Sequence, residues 1–407
     1  MMVLGKEVRR EPCLEPDYVA KFRCDGTTCG SKCCCRYWSI FVDDASYQRI
    51  RSEAPEPQRG RILERIGAVE EHVQDEAGGG RSLGHRIRFE EGKDCPFLGE
   101  DSLCYIQRLI GEDFLGNTCA GFPRKVNRMG AELQRSLSFS CPLAARIALL
   151  GESGAPAPPM AFHHAELELW RSEELAGLEA GETEEDAAKV VVFRALQKTG
   201  IAILQYRRYS LDARLLTLGL FLDGADEAIR QDSATRLLAL ASRYAENLPS
   251  TGIDDMLHHF RLRPGRRMLY LLGLQQAVDA AVAAADQPLD PLLLRGSLAE
   301  ECAGKPLSEE ARAMVLENFL VNEYFMDLYP CRFSGSFSDN WRIFVSVYLL
   351  LKQVVEVARD EAGLLAAVAA FAAHTSHDAA YMAAMERYVR ETGGNLVSFI
   401  TATIAEG

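Results

Sequence analysis

The chain has 407 residues, of which 48% are apolar and 25% charged, and it is long enough for about two or three globular domains. No apolar run reaches the roughly 18 residues that a membrane-spanning helix requires, and the first twelve residues lack the apolar centre of a secretory signal. We therefore expect a cytoplasmic protein without a transmembrane segment.

The formal net charge of −13 is confined to the second part of the chain. Residues 1–150 carry 22 basic and 22 acidic side chains, whereas residues 151–407 carry 23 and 36. An acidic surface repels nucleic acid and anionic membranes, so neither is expected as a partner. The acidic part would suit a basic protein surface, such as one that presents lysines. Acidity that only maintains solubility is the alternative.

Short elements are predicted in the first 150 residues. The pattern from Ser39 predicts a short strand and then a helix that begins near Ala45 after an aspartate cap. Residues 60–76 carry apolar side chains at helical spacing and predict an amphipathic helix. Three further predictions follow: a strand within 85–98, a helix within 103–115, and a strand followed by a helix within 131–150.

Residues 152–160 (ESGAPAPPM) are the clearest linker in the chain. After this linker the long segments all have a helical period. We therefore predict a mainly α protein with two parts. An N-terminal cysteine-rich metal-binding domain with short α and β elements would comprise residues 17–150, and an all-helical C-terminal domain would comprise residues 161–407.

Cysteines are concentrated in the first part of the chain, where ten of the twelve precede residue 142. In a reducing compartment such a cluster favours metal ligation over disulfides. Thiolates bind both zinc and the irons of iron–sulfur clusters. Proline or small residues beside Cys95, Cys119 and Cys141 fix the backbone or let it approach a bulky group, which favours an iron–sulfur cluster with zinc as the alternative.

Several motifs carry a resemblance to a known family. Residues 22–43 contain F-x-C-x₄-C followed by C-C-x-x-W-x-I-x-x-D. Further motifs are DCPFL at 94–98, TCAGFPR at 118–124, SLSFSCPLAAR at 136–146 and ENFLVNEYFMDLYP at 317–330. Together they resemble the flagellin lysine-N-methylase family (FliB-like), closely over residues 18–150 and patchily to the end. The cysteine pattern alone is also similar to the YkgJ-type group of zinc- or iron-chelating domains.

The resemblance implies methylation of flagellin lysines by an S-adenosylmethionine-dependent enzyme with a [4Fe-4S] cluster. The chain shows neither the glycine-rich loop of Rossmann methyltransferases nor the CxxxCxxC spacing of radical enzymes that use this cofactor. The competing interpretation is a non-catalytic zinc- or iron-chelating protein with a helical docking domain. The oligomeric state and the choice between radical and polar chemistry stay open.

The resemblance also selects residues. The predicted metal ligands are Cys24, Cys29, Cys34, Cys35, Cys95, Cys104, Cys119 and Cys141. One residue is inserted relative to the family spacing, so Cys33 competes with Cys35. Arg124, Arg146 and Asn318 are predicted to bind the cofactor.

Glu317, Tyr324 and Tyr329 are predicted to be catalytic and to line a substrate pocket in the helical domain. A lysine ammonium, with an ordinary pKa of about 10.4, must lose a proton before its nitrogen can attack a methyl group. A carboxylate in a desolvating aromatic pocket would promote that loss and would favour alkylammonium products. The alternative is that these aromatic rings simply belong to the core of an amphipathic helix.

Overall fold

The computed structural model describes residues 2–3, 6–7, 9–24, 40–73, 80–90, 94–101, 103–150, 157–169, 176–179, 184–246, 266–284, 307–392, 399 and 403. Helices dominate these residues, which confirms the prediction of a mainly α fold. None of the helices formed by the described residues is long and apolar enough to cross a membrane.

Short helices precede residue 150 and longer ones follow it. The described short helices are α1 (Asp44–Glu53), α2 (Gln58–Glu64), α3 (Tyr105–Ile110), α4 (Asn117–Gly121) and α5 (Pro142–Leu149). The described longer helices are α6 (Glu184–Leu204), α7 (Leu211–Arg230), α8 (Ala234–Glu246), α9 (Arg266–Ala284), α10 (Glu309–Met326), α11 (Phe337–Val357), α12 (Glu361–His377) and α13 (Ala379–Thr392).

Local sequence sets the ends of α10 and α11. Ser308 caps the start of α10, and Ser336 with Asp339 forms a capping box at the start of α11. Helix α10 ends where Leu328 adopts a positive φ of 57°, and the backbone N–H of Tyr329 donates to the carbonyl of Tyr324. This left-handed end is a common way to terminate a helix, and it turns the following residues back toward α10.

The described strands are β1 (Met2–Val3), β2 (Lys6–Glu7), β3 (Arg9–Pro16), β4 (Phe41–Val42), β5 (Ile66–Val73), β6 (Gly80–Ile87), β7 (Arg124–Gly130), β8 (Glu132–Leu137), β9 (Phe162–Leu169) and β10 (Ala176–Glu179). They form a mixed five-stranded sheet in the order β10-β7-β8-β3-β9. A three-stranded sheet has the order β4-β6-β5, and β1 pairs with β2. Strands β7 and β8 form an antiparallel hairpin, and β3 lies parallel to β8.

Strands β9 and β10 show that the prediction of an all-helical C-terminal part was wrong. Strand β9 pairs antiparallel with β3 along its whole length, from Arg9 opposite Leu169 to Pro16 opposite Phe162. A short strand is stable only with its partner, and this partner lies at the other end of the N-terminal region. The predicted domain boundary at residues 151–160 stays a prediction, and the five-stranded sheet includes strands from both sides of it.

Residues 60–76 do not form the single helix that their spacing predicts. Helix α2 ends at Glu64, and strand β5 then pairs with β6 from Ile66 opposite Ile87 to Val73 opposite Gly80. Strand pairing over eight residues overrides the helical spacing of the apolar side chains. In contrast, the predicted helix within 103–115 and the strand and helix within 131–150 are confirmed.

The described apolar side chains form two main cores. The larger core contains the long helices together with Tyr18, Phe22 and Phe139 from the N-terminal region. The smaller core is built from short elements of the N-terminal region and includes the buried side chains of Ile50 and Phe97. The predicted catalytic residues of the 317–330 motif therefore lie in the larger core, whereas the cysteines Cys95, Cys104 and Cys119 belong to the smaller one.

Candidate active site

Helix α10 lies within the larger core, and every residue from Met314 to Met326 is buried. This buried stretch and the residue that follows the helix carry polar or charged side chains at most 4% exposed: Glu317, Asn318, Asn322, Glu323 and Asp327. Burying an ionisable side chain is unfavourable unless it is neutral or has partners. The hydrogen-bond and ion-pair partners of these side chains therefore decide which of them are structural and which are available for chemistry.

Two arginines bind the carboxylate of Glu317. Arg207 donates to its Oε1 at 2.8 Å, and Arg214 donates to its Oε2 at 2.7 Å. Arg214 is itself buried on α7, so the ion pair joins α7 to α10. The predicted catalytic role of Glu317 stays a prediction, in a place where both carboxylate oxygens are already engaged by arginines.

The amide of Asn318 is fully used in contacts to backbone. Its Nδ2 donates to the carbonyls of Ala148 at 3.1 Å and Pro158 at 2.9 Å, and its Oδ1 accepts from the N–H of Met160 at 3.2 Å. These bonds hold residues 157–160 against α5 and α10. Asn318 thus stabilises the chain at the end of the predicted linker, and its predicted role in cofactor binding stays a prediction.

Arg124 and Arg146 lie at the protein surface. The guanidinium of Arg124 lies 5.4 Å from the ring centroid of Phe22, a favourable cation–π arrangement. Arg146 is exposed on α5, one turn after Cys141. Both side chains are accessible to an anionic group from solvent, so their predicted role stays a prediction.

Tyr324 and Tyr329 come together in the larger core. Their ring centroids are 6.1 Å apart with planes inclined by 20°, and Phe344 of α11 lies 5.5 Å and 4.8 Å from them. Both tyrosines are about 1% exposed, and burial raises the pKa of both hydroxyls, which stay neutral. The structure therefore places two of the three predicted catalytic residues side by side, at the C-terminal end of α10.

A carboxyl pair that the sequence analysis did not select lies beside these rings. Glu323 and Asp327 are one turn apart, at the end of α10. Lys125 of β7 donates to Oδ1 of Asp327 at 2.6 Å, and Arg332 lies 2.5 Å from Oδ2. In contrast, no donor among the described residues reaches either oxygen of Glu323.

These surroundings separate the protonation states of the two carboxyls. Burial, and then the negative charge of Asp327, raise the pKa of Glu323 to about 8. Burial opposes ionisation of Asp327 too, but the charges of Arg332 and Lys125 outweigh it and lower the pKa of Asp327. Near neutral pH, Asp327 is therefore ionised and most of Glu323 carries a proton, the behaviour expected of two adjacent carboxyls.

One signal in the sequence could have revealed this pair. Phe319, Glu323 and Asp327 are spaced by four residues, so they share one face of a helix. A face that holds a core phenylalanine and two carboxyls predicts buried, and hence perturbed, acids. Lys125 and Arg332 carry no comparable signal, since only the folded chain brings them to this helix.

The motifs at 118–124 and 136–146 lie near the C-terminal end of α10, where the carboxyl pair is. Nε2 of His377, at the end of α12, lies 3.2 Å and 3.1 Å from the hydroxyls of Ser138 and Ser140. Burial lowers the pKa of His377 to about 4. Since Lys125 directly follows the 118–124 motif, the segments at 118–124, 136–146 and 317–330 converge around the carboxyl pair.

The predicted metal cysteines fall into separate places. Cys95, Cys104 and Cys119 line one apolar cavity of about 70 Å³ in the smaller core, together with isoleucine and phenylalanine side chains. Three soft sulfur donors that face one apolar cavity fit the ligand chemistry of an iron–sulfur cluster or of zinc. Within the described ranges, however, no three His, Cys, Asp or Glu side chains are close enough together to hold a metal ion, so these thiols match such a site by donor type and not by their spacing.

The other predicted ligands lie elsewhere. Cys24 is exposed, and Cys141 is buried in the larger core at the start of α5. Cys29, Cys34 and Cys35, with the competing Cys33, lie outside the described residues. The ligand set therefore stays a prediction, of which three members share a cavity.

The fold and these contacts define a mainly helical protein with a buried carboxyl and aromatic cluster in its larger core and a thiol-lined cavity in its smaller core. The family described as FliB lysine N-methylase C-terminal domain matches residues 197–401, which include α10 and the carboxyl pair. The chain belongs to the FliB lysine N-methylase family, which confirms the resemblance of its motifs.

Curated relatives match over a shorter stretch. The lysine-N-methylase of Salmonella typhimurium is 29% identical over 129 residues, which are 31% of this chain and 30% of that protein. The lysine-N-methylase of Salmonella choleraesuis has the same identity and coverage. The flagellar biosynthetic protein FliU of Salmonella muenchen is 30% identical over 129 residues, 31% of this chain and 71% of that protein. The match thus spans less than a third of the two methylases, and no solved structure is significantly similar to the chain.

Proposed function

We propose that this chain is a protein-lysine N-methyltransferase that acts on flagellin in the cytoplasm and takes its methyl group from S-adenosylmethionine. Membership of the FliB lysine N-methylase family and the names of its relatives support this proposal. The observation that carries it is the buried cluster in the family-matching region, where the carboxyl pair adjoins Tyr324 and Tyr329.

The cluster suits a lysine side chain for two reasons. An apolar environment disfavours the ammonium form and so promotes loss of its proton. Aromatic rings attract alkylammonium groups and the positively charged sulfonium of the methyl donor. The acidic residues 151–407 would also favour a protein substrate that presents lysines on its surface.

An iron–sulfur cluster is the proposed resident cofactor of the smaller core. Cys95, Cys104 and Cys119 would hold it there, and the further ligands are those predicted from the sequence. With four cysteine ligands a cluster supplies structure or electron transfer, and with three it offers an iron that binds the amino and carboxylate groups of S-adenosylmethionine. Zinc at the same thiols would stabilise the small core without that chemistry.

The experiment combines metal analysis with a methyl-transfer assay. Protein purified without oxygen is expected to contain iron and acid-labile sulfide in equal amounts and little zinc. Incubation of this protein with isotopically labelled S-adenosylmethionine and flagellin should then place labelled methyl groups on lysines, identified by mass spectrometry of peptides. Flagellin whose lysines have been acetylated beforehand is the matched control and should take up no label.

Two results would contradict the proposal. Metal-replete protein that transfers no label to any flagellin lysine would favour a non-catalytic chelating protein with a helical docking domain. Stoichiometric zinc without sulfide, in protein that still methylates lysine, would retain the enzyme and remove the iron–sulfur cofactor.

A further inference from the structure

The carboxyl group of Glu323 is buried and receives no hydrogen bond from the described residues. Its side chain is 1% exposed, and no N–H or O–H group of the described residues reaches either of its oxygens. An isolated carboxylate anion is strongly destabilised in such a place. The protonated form is favoured instead, and the negative charge of the neighbouring Asp327 favours it further. The folded protein therefore favours one bound proton on the Glu323 carboxyl.

Asp327 holds this acid in place. Its two oxygens are bound by Lys125 at 2.6 Å and Arg332 at 2.5 Å, so its position and its charge are set by three segments of the chain. Because Asp327 stays ionised, it places a fixed negative charge one helical turn from Glu323. Asp327 therefore keeps the proton affinity of the Glu323 carboxyl high.

The titratable and charged groups around Glu323 come from several elements. The described ones are Tyr18 after β3, Lys125 on β7, Asp327 and Tyr329 at the end of α10, Arg332 in the following segment, and His377 at the end of α12. Burial keeps both tyrosines and His377 neutral near pH 7. Asp327 and the two cations are thus the charges that control Glu323.

Lys125 demonstrates that a lysine side chain can reach this cluster from the surface. Its side chain is 41% exposed, yet its Nζ contacts an Asp327 side chain that is 1% exposed. For a substrate lysine to lose its proton here, its nitrogen must likewise reach the carboxyl pair from the surface. Tyr329 lies in the same cluster, under the guanidinium of Arg332 at 5.7 Å, so an aromatic face is already used there to bind a cation.

We propose that Glu323 accepts the proton of the substrate lysine ammonium and that Asp327 is the residue that positions Glu323 for this step. The inference rests on the proposed function. One N–H bond of the ammonium breaks and one O–H bond forms on ionised Glu323, which leaves a neutral amine with its electron pair.

The electron pair of the neutral amine nitrogen then forms the N–C bond to the methyl group of a methyl sulfonium donor. At the same time the C–S bond breaks and its electrons go to sulfur. The methylated nitrogen takes over the positive charge of the sulfonium, and the Glu323 proton leaves to solvent. In an apolar site the transfer exchanges two charged groups for two neutral ones, which is why burial assists it.

The test compares methyl transfer to flagellin as a function of pH in wild type and four variants. Glu323→Gln should lower kcat by about 100-fold or more while KM for flagellin changes little, and Glu323→Asp should recover part of the rate. Asp327→Asn should stay active, but the rising limb of its kcat–pH profile should move by about one pH unit or more to lower pH. The reason is that the negative charge that raises the affinity of Glu323 for its proton is gone.

Glu310→Gln is the control. Glu310 is an exposed residue of the same helix, so this variant should behave as wild type.

Infrared spectroscopy of the intact protein supplies a readout that does not depend on turnover. Wild type should show a protonated-carboxyl band that disappears as the pH rises through about 8, and Glu323→Gln should lack it. Absence of this band in wild type, or a folded Glu323→Gln protein with the wild-type kcat, would overturn the role of Glu323 and leave the methyltransferase proposal standing. Wild type that methylates no lysine would overturn both.

Discussion

The hydroxyl of Tyr18 donates to Oδ1 of Asn322 at 2.5 Å, across 304 positions of the chain. The same hydroxyl accepts from the backbone N–H of Leu137 at 3.1 Å. One tyrosine thus joins the N-terminal region, the end of β8 and the buried helix α10. The contact also lies one residue from Glu323, so the N-terminal region helps to hold the candidate site.

Removal of this hydroxyl should destabilise the fold. Tyr18→Phe leaves the Asn322 carbonyl oxygen and the Leu137 N–H without this partner in a dry environment. We expect a loss of about 1–3 kcal/mol in the free energy of unfolding, measured by urea denaturation. Tyr206→Phe, a half-buried tyrosine on the surface, is the control and should change this free energy by less than about 0.5 kcal/mol. Equal effects of both substitutions would contradict the prediction.

A methyl group at position 200 should disturb the tyrosine pair. Gly200 on α6 packs directly against the phenol of Tyr324, and a Cβ there would overlap the ring and hydroxyl. Gly200→Ala should therefore destabilise the protein by about 1–3 kcal/mol despite the better helix propensity of alanine. Gly60→Ala, in the exposed part of α2, meets only an ordinary contact and should stabilise by about 0.5–1 kcal/mol. Thermal unfolding of both variants distinguishes packing from propensity.

Glu323 should make the protein less stable as the pH rises. Its pKa is raised to about 8 in the folded state from an ordinary value of 4.5. Between these values the folded chain holds a proton that the unfolded chain has released. The stabilisation is thus complete below pH 4.5 and is lost as the pH approaches 8.

The measurement is the difference in unfolding free energy between wild type and Glu323→Gln at a series of pH values. Wild type should lose stability relative to the variant from about pH 4.5 to about pH 8 and show no further change above. Glu310→Gln should track wild type throughout, since its carboxyl is exposed. A pH-independent difference between wild type and Glu323→Gln would show that Glu323 ionises normally.

The thiol-lined cavity should be needed for metal binding. Cys104→Ser removes a soft donor from the cavity shared with Cys95 and Cys119, and the variant purified without oxygen should lose most of its iron or zinc. Cys331→Ser, outside the N-terminal cysteine group, should retain the wild-type metal content. Similar metal content in both variants would place the metal at other cysteines.

Helix α10 shows which features of the candidate site a sequence motif can indicate and which it cannot. The 317–330 motif contains most of this helix, and Tyr324 and Tyr329 lie together in the core, while their catalytic role stays a prediction. Within the same motif, however, Glu317 is bound by Arg207 and Arg214, whereas Glu323 accepts no hydrogen bond from the described residues. The two glutamates look alike in sequence, because their difference comes from partners more than a hundred residues away.

The sequence by itself determined the mainly α character, the long helices after residue 184 and membership of the family, because periodicity and motifs are local properties of the chain. Only the tertiary structure decided that 162–169 pairs with the N-terminal strand, that Cys95, Cys104 and Cys119 share a cavity, and which carboxyl is protonated. Strand pairing, cavity formation and desolvation all depend on segments that are distant in sequence and adjacent only after folding.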